Sequence, residues 1–420
     1  MKKVIAIAIV FAIVAGAAFA DTAISGTLET RFTAVSGTDQ GKEGANPKTF
    51  GNIGTAYLQF SGSNDSNTVG ALWRFRNQDV LPDTNHTWHR AFIWWRPIPQ
   101  LRVWLGIDQD GMYSSGDALT DWAFHQGPEA YLAVHDWGFW RSIFPGHWDG
   151  FGLSLSGYIP LPVPFLDNIN INLTIPTGST NYRQAVIGAV TNQMLADHLY
   201  PAGLKVQSNF NFPDIGKLFI TYDGPGVGPD AGADFRDIPP ENGNGGYMGF
   251  SFLLEALKSA FFNLRLQPGV SFPLVGPDAT EKILNAGLGL HGSQGDFGLK
   301  FRTAAVFTTD TSGEKDVLDI FFTANIMPWY KLSFMTIYCD VGIALATTDD
   351  DDTEDGFGWW VTPYAKVPLG GPSLEFGLLL YSNVGIDNVG QTTYGTNPRR
   401  ERGENKPLNY AIPLRLVFSF

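Results

Sequence analysis

One cysteine occurs in 420 residues, Cys339, so no internal disulfide can form and a disulfide-stapled scaffold is excluded. Its neighbours at alternate positions, Ile337 and Val341, make it a small apolar residue rather than a reactive thiol. Charge is scarce: Asp, Glu, Lys and Arg make up 16% of the chain, against about 25% for a typical soluble protein. The balance is acidic, with a net charge of −13, which excludes the basic footprint that nucleic-acid partners require. After residue 20 there is no second long apolar run, so no transmembrane helix is expected. Catalytic signatures are absent too. There is no Gly-x-Ser-x-Gly, no phosphate loop and no clustered triad, so no enzymatic activity is expected. The run Asp349 to Asp352 with Glu354 and Asp355 matches no calcium-loop spacing and reads as a solvated acidic loop. Asp108-Gln109-Asp110-Gly111 holds only a fragment of such a pattern and reads as a turn. The seven histidines include no metal-like pair on a helix, and His86 and His89 flank the start of a strand. No metal and no cofactor are called for. No repeat at solenoid or propeller spacing is present.

What the chain does have begins with an address. Lys2 and Lys3 precede an apolar run from Val4 to Val14, and Ala18-Phe19-Ala20 forms a small-residue cleavage site before Asp21. This is the layout of a secretory signal peptide, residues 1–20, cut after Ala20. The remainder, 21–420, shows no linker and reads as a single domain. It is rich in aromatics (14%) and glycine (48 residues) and lacks helical periodicity, which points to many strands joined by turns.

Alternation is the main signal. In the last segment Leu408, Tyr410, Ile412, Leu414, Leu416, Phe418 and Phe420 fill one face, and Asn409, Arg415 and Ser419 the other. Ser333 to Leu345 repeats the pattern, with Met335, Ile337, Cys339, Val341 and Ile343 opposed to Thr336, Tyr338, Asp340 and Gly342. In 262–272, Leu264, Leu266 and Val270 oppose Arg265, Gln267 and Ser271; in 297–307, Phe297, Leu299 and Phe301 oppose Lys300 and Arg302. Runs of ten or more residues with one apolar face exceed the usual soluble strand of about five to six. They fit a strand with lipid on one side and water on the other. A one-residue slip would place charge in lipid at about 2–4 kcal/mol, so register is strongly specified.

Eighteen such strands can be drawn, near 23–36, 54–64, 68–77, 87–97, 101–108, 150–159, 169–175, 203–211, 217–223, 247–256, 261–273, 282–292, 297–308, 317–327, 332–346, 358–367, 373–383 and 407–420, with sixteen the alternative count. Joints alternate between short and long. Short ones fall at Asp65-Ser66-Asn67, Pro97-Ile98-Pro99-Gln100, Ser293-Gln294-Gly295-Asp296 and Pro328-Trp329-Tyr330; long ones at 37–53, 109–149, 176–202, 224–246 and 384–406. The expected fold is an all-β transmembrane antiparallel up-and-down barrel, with short periplasmic turns and long extracellular loops.

The closing strand, with Tyr410, Leu416, Phe418 and terminal Phe420, resembles the C-terminal signal of Gram-negative outer-membrane barrels. The whole mature chain further resembles porins of sixteen to eighteen strands, of the sugar- or carboxylate-specific type. That resemblance implies an outer-membrane location, lipid contact, recognition of the last strand by the barrel-assembly machinery, a homotrimer, and passage of small hydrophilic solutes. No motif names a substrate. A surface-exposed barrel whose loops bind host or other partners is the alternative function.

A barrel of this size leaves an aqueous interior, so inward residues carry the function. Arg31, Arg74, Arg76, Arg90, Arg96, Arg102 and Arg415 fall on one arc of the wall, interleaved with Trp88, Phe92, Trp94 and Trp104. Arginine forks pair bidentately with carboxylate or phosphate, so the arc reads as a basic track lowering the barrier for anions. The same arginines could simply pair with acids of an infolded loop. The longest joint, 109–149, is the candidate for that loop. It carries Asp110, Asp117, Asp121, Glu129 and Asp136 among tryptophans and phenylalanines that would be sticky if exposed. Its place after the fifth strand resembles the constriction loop of general porins.

Overall fold

The computed structural model describes residues 21–38, 48–77, 86–107, 151–163, 165–176, 205–223, 247–255, 263–274, 281–310, 317–348, 355–382 and 408–419. The signal segment, the loop 109–149 and Phe420 lie outside them.

Nineteen strand segments follow one another: β1 Asp21–Thr38, β2 Lys48–Ser63, β3 Val69–Asn77, β4 His86–Ile98, β5 Leu101–Ile107, β6 Phe151–Val163, β7 Leu166–Pro176, β8 Lys205–Phe212, β9 Gly216–Asp223, β10 Tyr247–Leu254, β11 Asn263–Pro273, β12 Glu281–Gln294, β13 Phe297–Asp310, β14 Val317–Lys331, β15 Thr336–Thr348, β16 Gly356–Pro368, β17 Ser373–Gly377, β18 Leu379–Ser382 and β19 Leu408–Ser419. Each pairs antiparallel with its sequence neighbour, and β1 pairs with β19 to close the barrel. β17 and β18 are one stave interrupted at Leu378, because both pair with β16 and β19 in unbroken register. The barrel therefore has eighteen staves, the larger of the two expected counts.

The short joints form at one end of the tube. Asn64 organises the β2–β3 turn: its Oδ1 accepts the backbone N–H of Thr68 at 2.8 Å and of Val69 at 3.1 Å. Asn67 supplies the left-handed residue, with φ 52°. Between β12 and β13 only Gly295 and Asp296 intervene, with Gly295 at φ 59°, a conformation that suits a residue without Cβ. One expected turn is displaced. Pro328-Trp329-Tyr330 lies within β14, and the chain turns at 332–335 instead, closed by the Leu332 N–H to the Met335 carbonyl at 2.8 Å. The β14–β15 pairing skips from Ile326 to Trp329, so Pro328, which has no N–H, sits where the ladder is already open.

The faces are inverted relative to a soluble protein. Ile93, Trp95, Phe376, Leu416 and Phe418 stand exposed on the outside, whereas Arg302, Asp340, Glu375 and Arg415 are buried on the inside. Phe165, Phe297, Tyr330 and Phe334 are exposed beside short turns, in the position of an interfacial aromatic girdle. Such a molecule is stable only with hydrocarbon around it. Replacing outward-facing Ile343 with arginine should cost about 2–4 kcal/mol of stability near mid-bilayer. Urea unfolding in phospholipid vesicles measures it, and an unchanged midpoint would contradict the lipid-facing assignment.

Inside, large rings lie flat against the wall over glycine. Gly70 faces Trp94, Gly298 faces Trp329 and Gly342 faces Trp360, each pair directly opposite in the ladder. A Cβ at any of these three glycines would run into the indole. The device lets a tryptophan line the interior without filling it, as aromatic residues cover glycine in other sheets.

Candidate functional site

Alternation places Phe92, Trp94 and Arg96 of β4 and Arg102 and Trp104 of β5 on the inner wall, since Ile93, Trp95 and Leu105 between them face outward and are exposed. The two strands are joined by Pro99 and Gln100 alone, and a bulge between Trp95 and Ile98 then shifts the register by one residue. Trp94 pairs with Trp104, Trp95 with Val103, and Phe92 with Gly106. Gly106 adopts φ 140° and comes so close to the Ala91 carbonyl and Phe92 that any side chain there would collide.

The side chains interlock. Phe92 stacks on Trp104 with centroids 5.1 Å apart. The Arg102 guanidinium carbon lies over Trp94 at 4.7 Å and over Trp104 at 5.1 Å, and that of Arg96 lies over Trp94 at 5.4 Å. Indole faces attract the two cations through the ring quadrupole, by about 0.5–1 kcal/mol each where partly exposed. Neither guanidinium has a carboxylate partner among the described residues. The Nε of Arg102 and the Nε1 of Trp104 are buried donors without an acceptor. The patch therefore presents donors and positive charge only.

Backbone register adds an arrangement that alternation alone did not reveal. Arg31 stands opposite Arg415 across the closing seam, and Arg74 opposite Arg90. The described arginines of these pairs are neutralised or satisfied within the wall. Arg74 donates from both Nε and Nη2 to Gln59 Oε1, at 2.8 and 2.6 Å. Arg415 donates to Glu375 Oε2 at 3.0 Å, and Lys366 approaches Glu375 Oε1 at 3.0 Å. Arg76 pairs with Tyr57 and Thr87 in the ladder. A bulge at Arg74/Phe75 sets Trp88 opposite Phe75, so strict alternation does not run unbroken from Trp88 to Arg96. The side chains of Arg31, Arg76, Trp88 and Arg90, and all of Asp110, Asp117, Asp121, Glu129 and Asp136, lie outside the described residues. Leu416 and Phe418 of the closing strand face outward, and Tyr410 opposes Leu380.

The rest of the inner wall differs from this arc. From β8 to β19 several of its polar residues are closed off: Gln267, Ser271, Asn285, Asp340 and Thr362 have no exposure. They bond across strands, Gln267 to Ser251 at 2.6 Å and Asn285 to Ser271 at 3.2 Å. Asp340 accepts from Asn325 at 3.0 Å and from the Trp360 indole at 3.3 Å. By contrast Arg74, Phe92, Trp94, Arg96, Arg102 and Trp104 are only half-buried. Further basic residues stand on this far wall, where Arg265 meets His291 at 2.8 Å and His291 packs edge-on against Trp329. The sequence carried their signal, since Arg265, Lys300 and Arg302 alternate with apolar residues just as the arc does.

No family model matches the chain, and no curated protein matches it. Among solved structures, an anion-selective porin from Comamonas acidovorans is 12% identical over 95% of this chain and 99% of its own, with a TM-score of 0.46. The outer-membrane channel DcaP of Acinetobacter baumannii is 10% identical over 95% and 97%, at 0.45. OmpT, an outer-membrane protein of Vibrio cholerae in trimer form, is 8% identical over 95% and 99%, also at 0.45. At these scores the likenesses carry no weight for function.

Proposed function

We propose that this chain is an outer-membrane porin, a passive diffusion channel for small hydrophilic solutes that favours anions. A closed eighteen-stave barrel with an apolar exterior leaves room for an aqueous interior. The observation that carries the preference is the half-open β3–β5 arc, where Arg96 and Arg102 sit on tryptophan faces without counter-charge among the described residues. Positive charge on a pore wall lowers the barrier for anions. The acidic surplus of the chain works against this, but charges in loops are screened over about 8 Å at physiological salt. Export through the segment 1–20, assembly through the C-terminal strand and a homotrimeric state complete the proposal.

Purified protein in a planar bilayer should give discrete ion steps, and a salt gradient should give a reversal potential on the anion side. Clear cation selectivity would overturn the arginine-track reading. If loop 109–149 folds inward as a constriction, deleting 115–140 should raise single-channel conductance several-fold, and unchanged conductance would sink that assignment.

A second reading has its own observation. Gln267, Ser271, Asn285, Asp340 and Thr362 of the inner face are closed to solvent, as they would be in a filled barrel that serves as a scaffold for partner-binding loops. A silent barrel in the same bilayer experiment would favour it.

A further inference from the structure

Arginines meet across neighbouring strands at three places, two as ladder partners and one at a bulge, and like charges so close destabilise a sheet. Two of the pairs have an answer inside the wall, Gln59 for Arg74 and Glu375 for Arg415. The third does not. Trp95 opposes Val103 and Ile98 opposes Leu101, so at the bulge between them Arg96 and Pro97 of β4 together stand against the one residue Arg102 of β5. Both guanidiniums lie within 5.4 Å of a single indole centroid, and no acceptor reaches either among the described residues. We propose that Arg96 and Arg102 form a binding station for a tetrahedral oxyanion dianion, of the phosphate class, at the short-turn end of the barrel interior.

The chemistry selects that class over a carboxylate. Each guanidinium offers a planar fork that takes two oxygens. One carboxylate supplies two oxygens and one charge, enough for one arginine, and leaves the other unpaired. A phosphate has oxygens for both forks and two charges to match them. Trp94 and Trp104 hold the Arg102 plane in place before the anion arrives, which lowers the ordering cost of binding. Trp94 itself is fixed, because it lies over Gly70 with no room for displacement toward the wall. The buried N–H groups of Arg102 and Trp104 add unopposed positive dipole ends to the local potential.

This station rests on the channel reading for its place in transport, but its binding does not require conduction, so two measurements separate them. Isothermal titration of the full-length barrel in detergent with inorganic phosphate, at mildly alkaline pH, should show one saturable site per chain. R96Q/R102Q should weaken it at least tenfold, and R96K/R102K, which keeps charge without the fork, should recover only part of the affinity. Acetate should bind at least tenfold more weakly than phosphate. A parallel titration with a phosphate monoester such as glycerol 3-phosphate tells whether the station accepts the esterified form or the free ion. In the bilayer, phosphate added to a chloride solution should reduce the wild-type current and leave that of R96Q/R102Q unaffected. Binding that persists in folded R96Q/R102Q, or acetate binding as tightly as phosphate, overturns the station. A silent barrel that still binds phosphate overturns only the channel.

Discussion

Replacing Glu375 with alanine should destabilise the barrel by about 3–5 kcal/mol, the usual cost of removing one partner from a buried ion pair. Glu375 is 2% exposed and holds Arg415 and Lys366 at 3.0 Å each. It stands directly opposite Lys366 on β16 and Arg415 on β19, so one carboxylate ties three staves together. Arg415 in turn faces Arg31 across the seam that closes the barrel. Loss of Glu375 would remove the carboxylate that holds Arg415 at this seam. Desolvation makes the loss larger than a surface pair would show, since exposed pairs contribute about 0–1 kcal/mol. Urea unfolding in vesicles, read by tryptophan fluorescence, gives the change. The double variant Glu375→Met with Arg415→Met should recover most of it, because the buried Glu375–Arg415 pair is then removed as a unit. A loss below 1 kcal/mol for the single variant would show that the seam does not depend on this carboxylate.

The second large effect is on selectivity. Arg96→Glu with Arg102→Glu should turn an anion-preferring pore into a cation-preferring one. Each unit charge acts on an ion at about 5 Å with roughly 0.8 kcal/mol in bulk-like water. The double reversal changes the wall by four units, and salt within a Debye length of about 8–10 Å removes a large part of the effect. About 1.4 kcal/mol remaining corresponds to tenfold in the permeability ratio, so a shift of about that size in the reversal-potential measurement is expected. An unaltered sign would mean that ions pass away from the β4–β5 wall.

Much of this molecule is written locally. The strand at 262–272 alternates Leu264, Leu266 and Val270 with Arg265, Gln267 and Ser271, and β11 buries Gln267 and Ser271 on the inside. Period two follows from the backbone itself, so the assignment of faces needs no tertiary information. The Arg96–Arg102 apposition was not legible in this way, because a tight turn at Pro99-Gln100 by itself sets Arg96 opposite Val103, and the bulge between Trp95 and Ile98 shifts the register. Pro328 shows where local reading fails. Proline ordinarily marks the end of a strand, yet β14 runs on to Lys331 because the barrel places Pro328 at an open position of its ladder.

By itself, then, the sequence determined an antiparallel transmembrane barrel of sixteen or eighteen staves and its apolar exterior, and the structure settled the count at eighteen. Only the tertiary structure decided which groups meet. Arg74 with Arg90 and Arg31 with Arg415 are brought together across a long joint and across the closing seam, where no turn geometry fixes the register. Nor could alternation tell that Glu375 answers Arg415 while Arg96 and Arg102 have no carboxylate partner among the described residues. Facing is a property of each strand's own backbone, whereas register around a closed tube is set by the stagger of all its strands together.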